Sequence, residues 1–458
     1  VLKPYEEYKK SKSPFHRNIP SHWTEKRLAA VCSIKCVQNN EGEELLSVFL
    51  NRGVINYKDT HQKQVHKPSE DMSKYQLVEP GDLVLNNQQA WRGSVGVSKY
   101  RGIVSPAYYV YSINDDINPF FLNYMVRDRD VVDQFVLASK GVGSIQRMLN
   151  NSYLKNVIFT IPPREEQGQI VRFLDWKLAK INKLIRAKKR QIALLNEQKQ
   201  VIINNAVTKG LDPNVPMKDS GIEWIGPIPE HWKILYLSQT ATEQSISNKD
   251  IHNQNLLSLS YGKIINKDIN TTDGLLPASF DTYQIVHNGN IILRLTDLQN
   301  DHKSLRVGLA TQTGIITSAY TCLLPRGNVV PEFLYMLLHS YDVCKVFYGM
   351  GGGVRQSIGF NDIRKLLILV PPLEEQKQIK DFCYTKSDFI EGLIVSIEKE
   401  IMLLIEYRNR LISDVVTGKV DVRDIEIPKY ETVSDEATDD KIDDNFVLDE
   451  EDVETGVE

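Results

Sequence analysis

Four stretches of the chain concentrate side chains that can read DNA base edges. Asn86-Asn87-Gln88-Gln89-Ala90-Trp91-Arg92-Gly93 follows a short apolar run, and Lys140-Gly141-Val142-Gly143-Ser144-Ile145-Gln146-Arg147 comes later. Residues 294–306 and Gly351-Gly352-Gly353-Val354-Arg355-Gln356-Ser357 stand at the corresponding places further on. Arginine matches guanine, and asparagine and glutamine match adenine, through paired hydrogen bonds. Glycine lets the backbone approach a phosphate. The candidate DNA contacts are Asn87, Gln88, Gln89, Trp91, Arg92, Ser144, Gln146 and Arg147 in the first pair of loops. In the second pair they are Arg294, Gln299, Lys303, Arg306, Arg355 and Gln356. One such loop alone reads as ordinary surface. Two pairs at equivalent places, with different sequences, point to recognition of two different targets.

Catalytic patterns are missing. There is no phosphate loop of the Walker type and no His-Glu-x-x-His metal helix. Asn118-Pro119-Phe120-Phe121 approaches the Asn-Pro-Pro-Tyr/Phe motif of adenine methyltransferases but lacks the second proline. A helix start is the better reading of it. His22 and His231 each precede a tryptophan in an apolar anchor, which suits packing or capping. Cys32 and Cys36 have no nearby ligand partners and read as core thiols. No metal site and no cofactor site is expected in this chain.

The loops are positioned by a repeat. Ile19-Pro20-Ser21-His22-Trp23 returns as Ile228-Pro229-Glu230-His231-Trp232, an offset of 209. Pro162-Pro163-Arg164-Glu165-Glu166-Gln167-Gly168-Gln169-Ile170 returns at the same offset as Pro371-Pro372-Leu373-Glu374-Glu375-Gln376-Lys377-Gln378-Ile379, with seven of nine positions identical. In between, Gly102-Ile103-Val104-Ser105-Pro106-Ala107-Tyr108 pairs with Gly314-Ile315-Ile316-Thr317-Ser318-Ala319-Tyr320 at offset 212. Matched ends imply a shared structural task, and divergent middles imply two recognition tasks. Strands are expected at 83–85, 103–111, 291–293 and 315–324. Helices are expected over 120–135 and 332–347, each opened by a proline.

Each half closes with a long helix, 164–206 and 373–416. The first carries Leu174, Leu178, Ile181, Ile185, Ile192 and Leu195 at alternating spacings of four and three, with Lys188 and Lys199 at the spacer positions. The second carries Ile390, Ile394, Ile397, Ile401 and Leu404, followed by Arg408. This is a coiled-coil seam. Gly210 and Gly418 stand where helices stop. Each helix is roughly 60 Å long at 1.5 Å per residue. The second half lies between the end of one helix and the start of the other, so the helices are expected to pair antiparallel, with residues near Thr417 returning to the N-terminal segment.

The expected fold is therefore α+β: two pseudo-repeated mixed α/β target-recognition domains joined by a long antiparallel two-helix coiled coil. The boundaries read as a first domain 1–162, a helix 163–209, a second domain 210–371, a helix 372–418 and a tail 419–458. Residues 429–458 hold 13 acids and 2 bases, net −11, so the formal charge of −4 leaves +7 for residues 1–428. The tail's composition predicts disorder. The 458 residues are 41% hydrophobic and 25% charged, as in an ordinary globular protein. No run of 18 apolar residues exists, no apolar signal core opens the chain, and the five cysteines form no Cys-x-x-Cys pair. A cytoplasmic setting is expected.

The tandem arrangement resembles the specificity subunits of type I restriction-modification enzymes. The resemblance is carried by Ile-Pro-x-His-Trp opening each half, Pro80-Gly81-Asp82-Leu83-Val84-Leu85, residues 102–108, Gly351-Gly352-Gly353-Val354-Arg355-Gln356-Ser357-Ile358, and Pro-Pro-x-Glu-Glu-Gln-x-x-Ile opening each long helix. It covers about residues 1–425. It implies a non-catalytic subunit in which each globular part reads one half of a split, asymmetric DNA sequence. The long helices would separate those parts and dock two modification subunits, which hold adenine methyltransferase chemistry and bind S-adenosylmethionine. Two restriction subunits, using ATP and magnesium, can join. The acidic tail departs from this pattern. The rival is a stand-alone DNA-binding scaffold or regulator with no methyltransferase partner.

Overall fold

The computed structural model describes residues 2–430, apart from 14, 16–17, 51, 60–67, 70, 142–146, 250, 252, 270–278, 299–304 and 351–357. The chain divides into two compact units, Val1–Lys188 with Lys399–Glu458, and Lys189–Glu398. Each is α+β, and the two share one strand plan.

In the first unit an antiparallel sheet runs in the order Cys32–Lys35, Tyr108–Ile113, Leu83–Asn86, Val95–Val97. The second unit repeats it as Ala241–Gln244, Thr321–Pro325, Ile291–Leu293, Val307–Leu309. Leu83, Val84 and Leu85 of the inner strand Leu83–Asn86, and all of Ile291–Leu293, are apolar and buried, as the middle of a covered sheet requires. Gly81 and Gly289, at φ +99° and +88°, make the left-handed turns that feed them. A two-stranded hairpin, Leu46–Phe49 with Gly53–Asn56, lies in the first unit, and Leu257–Ser260 with Lys263–Asn266 in the second.

Several expected elements are broken in two. The strand expected over 103–111 is Gly102–Val104, which pairs with Gln76–Val78, followed by Tyr108–Ile113 in the four-stranded sheet. Pro106 has no N–H to give a ladder, and buried Gln76 donates its amide to the Pro106 and Tyr108 carbonyls at 3.3 and 2.6 Å. The second unit breaks its 315–324 strand with Gln284, which donates to Thr317 O and Tyr320 O at 3.1 and 2.6 Å. The helix expected over 120–135 is likewise two, Pro119–Met125 and Arg129–Leu137. Asp128 stops the first turn sequence and caps the next helix by accepting from Asp130 N at 3.1 Å. Its counterpart is continuous over Pro331–Val343 and ends in the 3-10 turn Val346–Gly349.

The long helices span Arg164–Lys209 and Leu373–Val416, and each start is pinned by its second glutamate and its glutamine. Glu166 accepts from Trp23 Nε1 at 2.9 Å and Tyr5 OH at 2.6 Å, and its other oxygen meets His22 Nε2 at 2.7 Å. Glu375 accepts from Trp232 Nε1 at 3.0 Å and meets His231 Nε2 at 2.7 Å. Gln167 accepts from Asn118 N at 2.6 Å and donates to Pro162 O at 2.9 Å. Gln376 does the same with Val330 N and Pro371 O, both at 2.8 Å. Bonds to a charged carboxylate are worth about 1.5–3 kcal/mol each, so the repeated Glu-Gln and His-Trp pairs are the joint between helix and sheet.

Both units contain a segment of each long helix, and within each unit the two segments pack antiparallel. In the first unit Lys188 pairs with Glu400, and Arg408 donates to Asn182 Oδ1 at 3.4 Å. In the second, Lys199 Nζ lies 3.1 Å from Glu391 Oε1. Of the seam residues, Leu174, Ile181, Ile185, Ile390, Ile397 and Ile401 are buried, and Leu178, Ile192, Leu195, Ile394 and Leu404 are half-buried. Gly210 and Gly418 end the helices at φ +78° and +76°. A Cβ on Gly418 would stand 2.5 Å from Pro20 Cδ, so glycine is required where the second helix meets the N-terminal segment.

The stretch just past the second helix is packed, contrary to the tail expected from residue 419. Asp421 N donates to Lys3 O at 2.8 Å, Val422 is buried, and Gln169 donates to Val422 O and Ile425 O at 3.1 and 2.9 Å. Arg423 grips Asp421 and lies 5.1 Å over the Tyr5 ring. The partners of this stretch, Lys3, Tyr5 and Gln169, are more than 250 residues away in sequence, so local composition did not reveal them. Residues 431–458 lie outside the described residues.

Candidate nucleic-acid interface

In the first unit the strand Leu83–Asn86 runs into a turn built by its own polar residues. Asn86 Oδ1 accepts from Gln88 N at 3.0 Å, and buried Ala90 anchors the 3-10 turn Ala90–Arg92. Gly93, at φ +100°, closes it. Gln88, Gln89 and Arg92 are exposed. The half-buried Trp91 donates its indole N–H to Gln88 O at 2.8 Å, which fixes the ring. The Arg92 and Arg147 guanidinium carbons lie 5.1 and 5.6 Å from that ring's centre.

The second loop joins the first through its base. Ser139–Lys140 pairs with Met148–Leu149, and Leu149 N donates to Asn87 O at 3.0 Å. The structure thus brings together Asn87, Trp91, Arg92 and Arg147. Asn87 is half-buried, and its amide oxygen is turned inward, with no hydrogen-bond partner among the described residues. Ser144 and Gln146 lie outside the described residues. Sequence reasoning passed over Tyr153, exposed beside Lys140, whose ammonium stands 5.1 Å from its ring centre. An aromatic residue in the polar run Asn150-Asn151-Ser152-Tyr153 was the available signal.

The second unit ties its two loops in the same way, with Ile358 N donating to Leu295 O at 3.0 Å. Arg294 is half-buried, and Leu295 and Leu298 are buried beneath the loop. Arg306 corrects the sequence reading: it is fully buried and faces no surface. Its guanidinium donates to the carbonyls of Arg294, Thr296 and Asp297 at 3.2, 2.7 and 3.2 Å and to Tyr348 OH at 2.9 Å. Its backbone N–H donates to buried Asp342 Oδ2 at 2.6 Å. Arg306 organises the loop from inside. Gln299, Lys303, Arg355 and Gln356 lie outside the described residues.

The cysteines take no part. Cys32 is buried as expected, whereas Cys36 is exposed. Burial pushes the thiols of Cys32, Cys322 and Cys383 up to about 12, so they stay protonated at neutral pH and are inert. Among the described residues no group of three His, Cys, Asp or Glu side chains could hold a metal ion.

The two units repeat one α+β plan, and in each a backbone hydrogen bond ties the first loop to the second. Residues 20–194 match the family described as type I restriction modification DNA specificity domain. The chain is 27% identical over 375 residues to a protein of Methanocaldococcus jannaschii named as a type I restriction enzyme MjaX specificity subunit, covering 77% of this chain and 81% of that one. Its fold is similar to a chain from a type I R-M system studied for complex assembly and conformational transition, with TM-score 0.61, 15% identity, and 88% and 99% of the two chains covered. The HsdS subunit from Thermoanaerobacter tengcongensis aligns at TM-score 0.48 and 15% identity, over 90% of this chain and 100% of that one. Residues 20–194 thus match a type I restriction modification DNA specificity domain, and the chain as a whole is similar to a type I restriction enzyme specificity subunit.

Proposed function

We propose that this chain reads a bipartite, asymmetric DNA sequence in the cytoplasm, one half through each unit, and docks two modification subunits. The observation that carries the reading is the loop pair itself. It is tied by the same backbone hydrogen bond in both units, Leu149 N to Asn87 O and Ile358 N to Leu295 O, yet its side chains differ. S-adenosylmethionine would be bound by the modification subunits. ATP and magnesium would belong to restriction subunits where those join. Exposed apolar residues on the otherwise polar long helices support docking there: Leu184, Met402, Leu403 and Tyr407 in the first unit, and Leu194, Val201, Phe389 and Leu393 in the second.

The test is to purify the chain with its neighbours and challenge the complex with a random duplex library. A stoichiometric methyltransferase partner and a retained split sequence are expected. A chain that selects a sequence with no such partner would favour a stand-alone regulator. The helices are also proposed to set the gap between the half-sites. A four-residue insertion after Gln191 adds about 6 Å of helix, so the preferred gap should lengthen by one or two base pairs, at about 3.4 Å each. An unchanged gap would remove the helices from that role.

A further inference from the structure

We propose that the β-hairpin turn at Tyr261-Gly262 is a further DNA-reading element of the second unit, with Tyr261 entering a groove of that unit's half-site. The inference rests on the DNA-recognition reading above.

The turn joins Ser260 to Lys263 through two residues with φ of +45° and +78°. This is the favoured hairpin geometry, and it selects asparagine, aspartate or glycine at the first position. A tyrosine is a costly choice there. It gains nothing from burial, because Tyr261 is 77% exposed. A strained, solvent-facing aromatic ring has no folding rationale, which directs attention to a ligand.

The base beneath the ring is firm. Tyr335 OH donates to Gly262 O at 3.3 Å, and a Cβ on Gly262 would stand 3.1 Å from Leu305 Cβ and 3.2 Å from His339 Cε1. A Cβ on Gly308 would come within 2.6 Å of Leu259 Cδ1, so the hairpin lies close on the strand that follows the loop. Leu305 belongs to the 294–306 loop. The ring therefore projects beside a reading loop from a fixed support, with exposed Lys263 next to it. A phenol suits a groove: its face packs on a sugar or thymine methyl, and its hydroxyl bonds a base edge or phosphate, with few rotatable bonds to immobilise.

The first unit places a different residue at the same point. Its hairpin tip carries Leu50, 46% exposed, whose Cδ1 would lie 3.6 Å from a Cβ on Gly93, the neighbour of Arg92. The tips thus repeat in position and differ in side chain, as the loops do.

The experiment compares the full chain with its Tyr261→Asn and Tyr261→Phe variants, each assembled with its modification subunits, on a random duplex library and then on the duplex the parent prefers. Asparagine suits this turn, so Tyr261→Asn should raise the thermal midpoint by about 1–3 °C. It should also cut affinity for the preferred duplex about tenfold and flatten base preference at one or two adjacent positions of a single half-site. Tyr261→Phe should retain most of the affinity. Unchanged preference and affinity in Tyr261→Asn would overturn the assignment, and so would lost subunit assembly, which would make the ring a protein contact. A parent complex that selects no split sequence would instead bring down the DNA-recognition reading, and this inference with it.

Discussion

Ser94 and Arg306 occupy the same place in the two units, one residue before the outer strand that begins at Val95 or Val307. Asn86 N donates to Ser94 O at 3.1 Å, and Arg294 N to Arg306 O at 2.9 Å, so the loops have matching stems. Between the stems the second loop is four residues longer, as the numbering shows. Ser94 is buried and needs only one bond, from its hydroxyl to Val48 O at 2.8 Å. The longer loop leaves carbonyls turned inward, and a buried guanidinium gathers three of them. The lesson is that a connecting loop can be lengthened within a fixed sheet when an interior donor replaces the lost local bonds. The outer surface stays open to change.

The sharpest way to break this comparison is Arg306→Ala. It should destabilise the second unit by about 3–5 kcal/mol, because three buried carbonyls and the Tyr348 hydroxyl lose their charged donor, while the backbone bond to Asp342 stays. Urea denaturation measures it. A variant of parental stability that loses only DNA affinity would return Arg306 to the reading surface. Next in size, Arg92→Ala or Arg147→Ala should leave stability intact and cost about 1–3 kcal/mol in binding if the lost contact is to guanine. If the contact is to phosphate, the salt dependence of binding should instead drop by about one unit of slope. Titrations at several salt concentrations distinguish the two. Trp91→Ala removes the ring against which both arginines lie. It should cost about 1 kcal/mol in binding, and an effect larger than either arginine's would make the indole itself a DNA contact. The smallest effect is expected from Ser94→Ala, about 1 kcal/mol of stability with base preference unchanged.

The repeat and the long helices were legible because they depend on periodic patterns, and the four-and-three spacing from Leu174 to Leu195 survives any detail of packing. The positions of the loops were legible for the same reason. The direction of their side chains was not. Arg306 stands between Leu305 and Val307 at the edge of a strand, and an arginine flanked by apolar residues was the one hint of an interior role. The break at Val126-Arg127-Asp128 passed as helix because Asp128 acts as a cap only once the chain turns there. Tyr261 reads as an ordinary strand residue until its positive φ is seen.

The first unit is discontinuous, made of Val1–Lys188 and residues from Lys399 onward, while the second is the single stretch Lys189–Glu398. For a chain that leaves the ribosome from its N-terminus, this reverses the order of completion. The second unit has all its residues once Glu398 has emerged. The first, although begun earliest, must wait: Ile181 and Ile185 lack their covering helix segment, and Tyr5 lacks Arg423, until the last part of the fold is synthesised. Newly made chains therefore pass through an interval in which the second unit is closed and the first is still exposing its seam. Proteases and holding chaperones would meet the front of this protein before its rear.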